Sequence, residues 1–288
     1  MNLVDTIIQS AHQLPPFPAV IQRALALIND PKSSVSTVVE TIQYDQVITA
    51  NVLRVCNSPY YGLRQSVSSL QEAVIIIGFD PLLEIVLGSV AGSALGEAIP
   101  GYDLESGDLW RHSISSALLS QMISQRINRG QDHMVFTAAL IHDIGKVMLN
   151  TYVKDQFLTI KDLVNTKKIS FLTAEKEVLG IDHAELSATI AEQWNFPREI
   201  TQAIRYHHTP LLAPADKEVV YLIYLSNLIA MLTGIGGGAD GLSYAGYDEV
   251  MYHFKLEEKD IEKFIAQLGD QIQKVETLIQ LQKPVENS

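Results

Sequence analysis

Hydrophobic side chains recur at the spacing of an amphipathic helix along most of the chain. Val35, Val38, Val39 and Ile42 lie at positions i, i+3, i+4 and i+7, a spacing that places four side chains on one helical face. Prolines and glycines separate such stretches, and no segment alternates between apolar and polar residues as a half-buried strand would. The pattern predicts an all-α, multi-helical protein without a sheet of consequence.

Local signals predict individual helices as well. Ser69 and Glu72 form a capping-box pattern ahead of an apolar run, which predicts that a helix starts there. The apolar run 219–232 is too short to span a bilayer and contains polar residues, so it predicts a buried core helix. Residues 256–285 have the pattern of one charged amphipathic helix.

The helical pattern is interrupted at residues 98–107, which contain Pro100, Gly101 and Gly107. We interpret this interruption as the boundary between two parts of the chain. The sequence therefore predicts an N-terminal helical lobe over residues 1–100, packed on a second helical lobe over residues 101–255. A C-terminal amphipathic helix and tail would occupy residues 256–288.

Composition narrows the range of partners and locations. The formal net charge of −12 argues against nucleic acid or an anionic membrane as the main partner. The single cysteine, Cys56, rules out an internal disulfide framework and is typical of a reducing compartment. The first residues lack the basic segment of a signal peptide. We expect a cytoplasmic protein that binds neither nucleic acid nor membrane.

Five of the eight histidines form a widely spaced series that also includes one acidic residue. The six residues are His112, His142, Asp143, His183, His207 and His208. The intervals are too wide for a local finger-type loop, but they suit ligands that successive helices project into one pocket. Any one of these histidines is more often a hydrogen-bonded core residue than a ligand, whereas the set favours a metal site. Imidazole and carboxylate together suit Zn, Fe, Mn or Ni.

The chain around the histidines suggests how they are placed. His142 and Asp143 lie in an apolar stretch with helical character, and adjacent side chains on a helix diverge by about 100°. We expect Gly145 to give the helix end the freedom that both ligands need. A capping-box pattern that starts at Asp182 predicts that His183 lies in the first turn of another helix.

These motifs resemble two related families. The histidines, together with the sequence His-Asp-Ile-Gly-Lys at residues 142–146, resemble the ligand signature of the HD superfamily of metal-dependent phosphohydrolases. Residues 14–18, 42–62 and 67–78 are similar, in this order, to the front half of an HDOD domain, the HD-related output domain of bacterial signalling proteins. The resemblance covers about residues 10–235.

The resemblance implies a metal centre with two halves. His112 and His142 would serve one metal, Asp143 would bridge, and the other metal would be bound by His183, His207 and His208. Lys146 would approach a substrate phosphate. Without the resemblance, Lys146 can equally be interpreted as a solvated residue at a helix end. The implied cofactor is one or two transition metal ions, with iron favoured over nickel, manganese or zinc.

The sequence departs from the active pattern in two places. Where the hydrolases have a final metal-binding Asp on a later helix, this chain has Asn227. An amide oxygen is a weaker, neutral ligand, so the first metal site would be weakened and the second left intact. The segment after His208 also lacks the acidic and Gly-Tyr-Pro segment of HD-GYP cyclic-dinucleotide phosphodiesterases. That activity is therefore not expected.

Two functions remain open after these comparisons of motif. The first is a non-catalytic signal-transduction output module that acts through signalling proteins and holds a structural metal. The alternative is a metal-dependent phosphohydrolase or phosphodiesterase that acts on a nucleotide or other phosphate-containing molecule, with Asp143 and Lys146 as catalytic residues. Asn227 favours the first function, and the nearly complete ligand set keeps the second open.

Overall fold

The structure, a computed structural model, describes residues 3–11, 19–28, 32–43, 46–58, 61, 67–129, 132–235 and 245–280. Within these ranges the regular structure is helical, and the β-structure is limited to one isolated bridge between Ile99 and Leu104. The predicted all-α fold is confirmed. No helix in the described ranges combines the length and apolarity needed to cross a membrane. Residues 14–18, which carry part of the family resemblance, lie outside the described residues.

The α-helices are described in chain order, with short 3-10 helices at Pro100–Tyr102 and Pro210–Leu212. They are α1 (Leu3–Ala11), α2 (Ala19–Ile28), α3 (Val35–Ile42), α4 (Gln46–Cys56), α5 (Leu70–Ile77), α6 (Phe79–Leu95), α7 (Asp108–Arg126), α8 (His133–Ile141), α9 (Gly145–Lys167), α10 (Phe171–Leu179), α11 (His183–Gln193), α12 (Arg198–Arg205), α13 (Lys217–Leu232), α14 (Tyr247–Phe254) and α15 (Glu258–Gln280).

The chain divides into two compact units, and each unit combines segments that are distant in sequence. One unit contains residues 1–15 and 94–268, and the other contains residues 16–93 and 269–288. In the first unit α1 packs on α9 and α11, and a Cβ at Gly180 would lie 2.6 Å from the Val4 side chain. The domain boundaries expected from the sequence, at residues 100 and 255, stay predictions.

In the second unit α3 packs on α2 and α5, and α4 packs on α5. Val38, Val39 and Ile42 of α3 are buried, as their helical spacing predicts, whereas Val35 is 44% exposed. The predicted helix start at Ser69 is also confirmed, because its side chain accepts the backbone N–H of Glu72. A capped start of this kind satisfies a donor that the first helical turn leaves unpaired.

In the first unit α13 packs along α7 and also contacts α8 and α12. Residues 219–231 of α13 are buried, which confirms the core helix predicted from this apolar run. Several of the buried residues of the facing helix, α7, are serines. Two of them, Ser115 and Ser120, donate hydrogen bonds to carbonyls of their own helix. Small side chains let two helices approach closely, which fixes the position of α7.

The C-terminal helix begins close to its predicted start. A turn at Lys255, with φ of 53°, separates α14 from α15, and α15 starts at Glu258. Asp260 accepts two hydrogen bonds from Arg126 of α7, with N···O distances of 2.9 and 3.1 Å. This bidentate pair attaches the start of α15 to the end of α7. Residues 281–288, the remainder of the predicted tail, lie outside the described residues.

Candidate metal centre

A turn between two helices carries the adjacent residues His142 and Asp143. Helix α8 ends at Ile141, residues 142–144 form the turn, and α9 begins at Gly145. The helix does end at the two ligands, as expected, but Gly145 begins the next helix and does not belong to the turn. A Cβ at Gly145 would lie 2.4 Å from the His183 carbonyl oxygen, so the glycine is needed for close approach of α11 rather than for backbone freedom.

The other histidines also lie near helix termini. His183 is the first residue of α11, and Asp182 caps this helix by accepting the backbone N–H of Glu185 at 2.8 Å. The helix start predicted at Asp182 is thus confirmed. His112 lies in the early part of α7, and the doublet of His207 and His208 follows the end of α12. Helix ends let the histidines approach one point from different directions.

The Asp143 carboxylate lies at the centre of the histidine cluster. Its Oδ1 atom is 3.5 Å from Nε2 of His207 and 3.6 Å from Nε2 of His183. Its Oδ2 atom is 3.4 Å from Nε2 of His142 and 3.6 Å from Nε2 of His112. The structure thus brings these predicted residues together around one carboxylate.

His208 completes the cluster and allows a division into two halves. Its Nε2 atom is 2.9 Å from Nε2 of His183. In each half the potential ligand atoms lie within 4.8 Å of one another. The three-histidine half consists of Asp143, His183, His207 and His208, and the two-histidine half consists of His112, His142 and Asp143. These are the two groups that the family resemblance implies.

Backbone carbonyl groups orient two of the imidazoles. Nδ1 of His142 lies 2.6 Å from the Ala139 carbonyl oxygen, and Nδ1 of His207 lies 2.6 Å from the Ile204 carbonyl oxygen. A neutral imidazole has one N–H, and a carbonyl can only accept, so each ring donates from Nδ1. The Nε2 lone pairs of both rings are therefore directed into the cluster, which is the arrangement found in metal-binding histidines.

A buried carboxylate that is not among the predicted site residues orients His183. Glu175 is fully buried and accepts both the backbone N–H and the Nδ1 hydrogen of His183, each at 2.8 Å. Its other oxygen accepts the hydroxyl of the buried Tyr102. The available signal was an acidic residue on the apolar face of α10, one turn from both Phe171 and Leu179.

The electrostatic environment favours neutral His142 and His208 beside an ionised Asp143. Loss of solvation on burial holds the pKa of His142 well below its usual value. Burial alone would raise the pKa of Asp143, but its electrostatic interactions with the His142 imidazole and the Lys146 ammonium hold the pKa well below its usual value. Loss of solvation and the nearby His207 likewise lower the pKa of His208. Neutral imidazole and carboxylate are the forms that bind metals.

Two atoms of the cluster point to a bound cation. Among the described residues, Oδ1 of Asp143 and Nε2 of His207 are buried and have no hydrogen bond of normal geometry. An unsatisfied buried polar atom costs about 1–3 kcal/mol, so native proteins seldom retain one without a ligand or ion. The donor set of imidazole nitrogens and one carboxylate fits a transition metal ion.

Lys146 lies at the cluster and not in solvent. Its side chain is 4% exposed, Nζ lies 2.7 Å from Oδ2 of Asp143, and it is 5.6 Å from the centre of the Tyr102 ring. The interpretation of Lys146 as a solvated residue that favours a negative helix end is wrong. It is the second residue of α9, at the positive end of the helix dipole. A phosphate contact stays a prediction.

Asn227 is buried on α13, the helix that packs on α7 and α8. Helix α7 carries His112, and α8 ends directly before His142. Asn227 therefore belongs to the same packed region. Its role as a replacement for a metal-binding aspartate stays a prediction.

A groove of about 480 Å³ is lined by residues that flank His183 and the His207–His208 doublet. Its charged lining consists of Lys176, Glu177, Asp182, Glu185 and Arg205. Both cations are paired, because Lys176 lies 3.2 Å from Asp182 and Arg205 contacts Glu185. The groove therefore offers a mixed surface in which carboxylates outnumber cations.

Solved structures of similar fold come from several bacteria. An HDOD domain protein from Geobacter sulfurreducens is 25% identical, with a TM-score of 0.71 over 97% of this chain and 98% of that one. A candidate phosphohydrolase from Shewanella amazonensis SB2B is 23% identical, with a TM-score of 0.67 over 96% and 97% of the two chains. A candidate signal transduction protein from Marinobacter aquaeolei VT8 is 22% identical, with a TM-score of 0.72 over 98% of this chain and 61% of that one.

The sequence comparisons identify the family. A protein of Treponema pallidum (strain Nichols) is 21% identical over 231 residues, which are 79% of this chain and 44% of that protein. The chain thus spans less than half the length of this relative. The family profile of the HDOD domain matches residues 14–210, which is more than half of the chain. The chain belongs to the HDOD domain family.

Proposed function

We propose that this chain is a bacterial signal-transduction output module that acts through protein partners in the cytoplasm, and that its cluster holds a metal ion structurally. The observation that carries the proposal is the burial of the central ligands of the cluster. The side chains of His142, Asp143 and His207 are at most 1% exposed. Structural metal sites are closed by protein ligands, whereas catalytic sites keep a position open for water or substrate.

The placement of the ligands supports a structural role. Asp143 lies between α8 and α9, His183 starts α11, and His207 follows α12. A metal bound here would supply positive charge that neutralises Asp143 and would link these segments. By family resemblance iron is favoured, followed by nickel, manganese or zinc.

The groove beside the cluster also supports a non-catalytic role. A phosphate ester needs cations that can neutralise its charge. Lys176 and Arg205, the cations in the groove lining, are already paired with carboxylates. The groove therefore gives a phosphate ester little electrostatic assistance.

Action through partners is the part of the proposal that rests on resemblance. The resemblance is to HDOD domains, the output domains of bacterial signalling proteins. One protein of similar fold is described as a candidate signal transduction protein. A cytoplasmic location agrees with the single cysteine. Cys56 is buried and free, and burial raises its pKa to about 11, which makes the thiol unreactive at neutral pH.

A metal-dependent phosphohydrolase or phosphodiesterase is the second candidate function. The observation that favours it is the convergence of five histidines and Asp143, a set close to that of a two-metal centre. His208 is the partly exposed member of this set, so it marks the side from which a substrate would have to approach.

A hydrolysis panel separates the two functions. The unmodified protein, loaded with iron, manganese or zinc, should hydrolyse nitrophenyl phosphates, nucleotides and cyclic dinucleotides no faster than Asp143→Ala, because the central ligands of the cluster are buried. Asn227→Asp should also stay at background. An impaired hydrolase would instead gain turnover from Asn227→Asp, because the added carboxylate completes a second metal site. Robust hydrolysis by the unmodified protein that Asp143→Ala abolishes would establish the enzyme and contradict the output module.

A further inference from the structure

The two oxygens of Asp143 have different surroundings. Oδ1 faces His183 and His207 at 3.6 and 3.5 Å, and no cationic side chain of the described residues is hydrogen-bonded to it. Oδ2 faces His112 and His142, and it also accepts a hydrogen bond of 2.7 Å from the Lys146 ammonium. The ammonium therefore binds the carboxylate oxygen that faces the two-histidine half, and among the described residues no ammonium is hydrogen-bonded to the oxygen that faces the three-histidine half.

The Lys146 ammonium is strongly tied to this place. Its side chain is 4% exposed, and a buried ammonium is costly unless an anion compensates its charge. Its place in the first turn of α9 adds repulsion from the helix dipole. Contact with Asp143 and the face of the Tyr102 ring offsets both costs.

A metal ion in the two-histidine half would have to share Oδ2 with this ammonium. Two cations on one carboxylate oxygen repel each other strongly in a buried site, where little water screens them. The Lys146 side chain is enclosed, so leaving the site would require the surrounding packing to open. A metal ion in the three-histidine half would instead use Oδ1, which is not hydrogen-bonded to this ammonium.

We infer that the Lys146 ammonium takes the place of a second metal ion, and that the centre holds a single metal in the three-histidine half. The inference deepens the proposed function and rests on it, because it concerns the metal that the output module would hold. It gives Lys146 the role of a built-in counter-ion to Asp143, in place of a contact to substrate phosphate.

Counting bound zinc tests the inference without any measurement of activity. Zn²⁺ is equilibrated with the protein by dialysis, and metal per chain is determined by mass spectrometry. The unmodified protein should hold one ion. Lys146→Met keeps the length of the side chain and removes its charge, so it should hold two ions, a twofold increase. Helical circular dichroism checks that the variant is folded.

A matched pair of histidine variants locates the single ion independently of Lys146→Met. His207→Ala should lose the bound zinc, and His112→Ala should retain it, because the two histidines belong to different halves. If His112→Ala loses the ion, or if Lys146→Met folds and still binds one ion, the inference is overturned.

The unmodified protein separates failure of this inference from failure of the proposed function. Two ions per chain would overturn the inference and leave the metal-bearing module intact. No bound ion after reconstitution would overturn the metal centre itself.

Discussion

Replacing Glu175 with alanine is expected to lower the free energy of unfolding by about 3–5 kcal/mol, because three buried donors lose their shared acceptor. These donors are the backbone N–H and the imidazole of His183, and the Tyr102 hydroxyl. Urea unfolding followed by circular dichroism measures the loss. Metal affinity should fall about 10- to 100-fold as well, because His183 loses the partner that orients it.

Glu177→Ala is the matched control for this prediction. Glu177 lies on the same helix as Glu175, but its side chain is 42% exposed and pairs with Lys167 at the surface. Exposed pairs contribute about 0–1 kcal/mol, so this variant should unfold close to the unmodified protein. Equal stability of the two variants would show that the buried carboxylate does not organise the cluster.

Gly145→Ala is expected to destabilise the protein by about 2–3 kcal/mol through steric overlap. The new Cβ would lie 2.4 Å from the His183 carbonyl oxygen, and 2.8 and 2.9 Å from Oγ and N of Ser187. Two of these atoms belong to the backbone of α11, so relief requires the helix to move. Intrinsic propensity favours alanine over glycine in a helix by about 1 kcal/mol, and here the overlap exceeds that gain.

Gly269→Ala provides the control of opposite sign. Gly269 lies within α15, and apart from its chain neighbours and the backbone of its own helix, no atom of the described residues lies within 4 Å of a Cβ placed there. This variant should be more stable by about 0.5–1 kcal/mol, because alanine has the better helix propensity. Thermal and urea unfolding compare both variants. A stabilised Gly145→Ala would refute the close contact between α9 and α11.

The sequence was informative wherever a local signal decides the structure. The apolar run 219–232 became α13, and the capping pattern at Asp182 became the start of α11. Both signals are local in the sequence. One is an apolar run that predicts a buried helix, and the other is a side chain that caps a backbone N–H three residues later. The histidines around Asp143 could also be predicted as one metal-binding set, because their imidazoles and the carboxylate are side chains that bind transition metals.

Other features depend on contacts between distant residues, and the sequence could not predict them. The turn at residues 142–144 is only three residues long and lies between apolar helical stretches, so periodicity did not reveal the break. Glu175 orients His183, but it meets Tyr102 only after α10 and the 3-10 helix at Pro100–Tyr102 have both packed on α9. The sequence left open whether Lys146 is buried or solvated, because a short motif does not show burial. The grouping of α1 with α9 and α11 likewise arises from tertiary packing.

The central claim is that the buried His/Asp cluster is a metal centre. Anomalous X-ray diffraction at the absorption edge of the resident metal, on crystals of protein purified without chelator, tests it most directly. We predict one anomalous peak enclosed by Asp143, His183, His207 and His208, and no peak between His112 and His142. Crystals without any anomalous peak in the cluster, even after soaking with iron and zinc, would contradict the account.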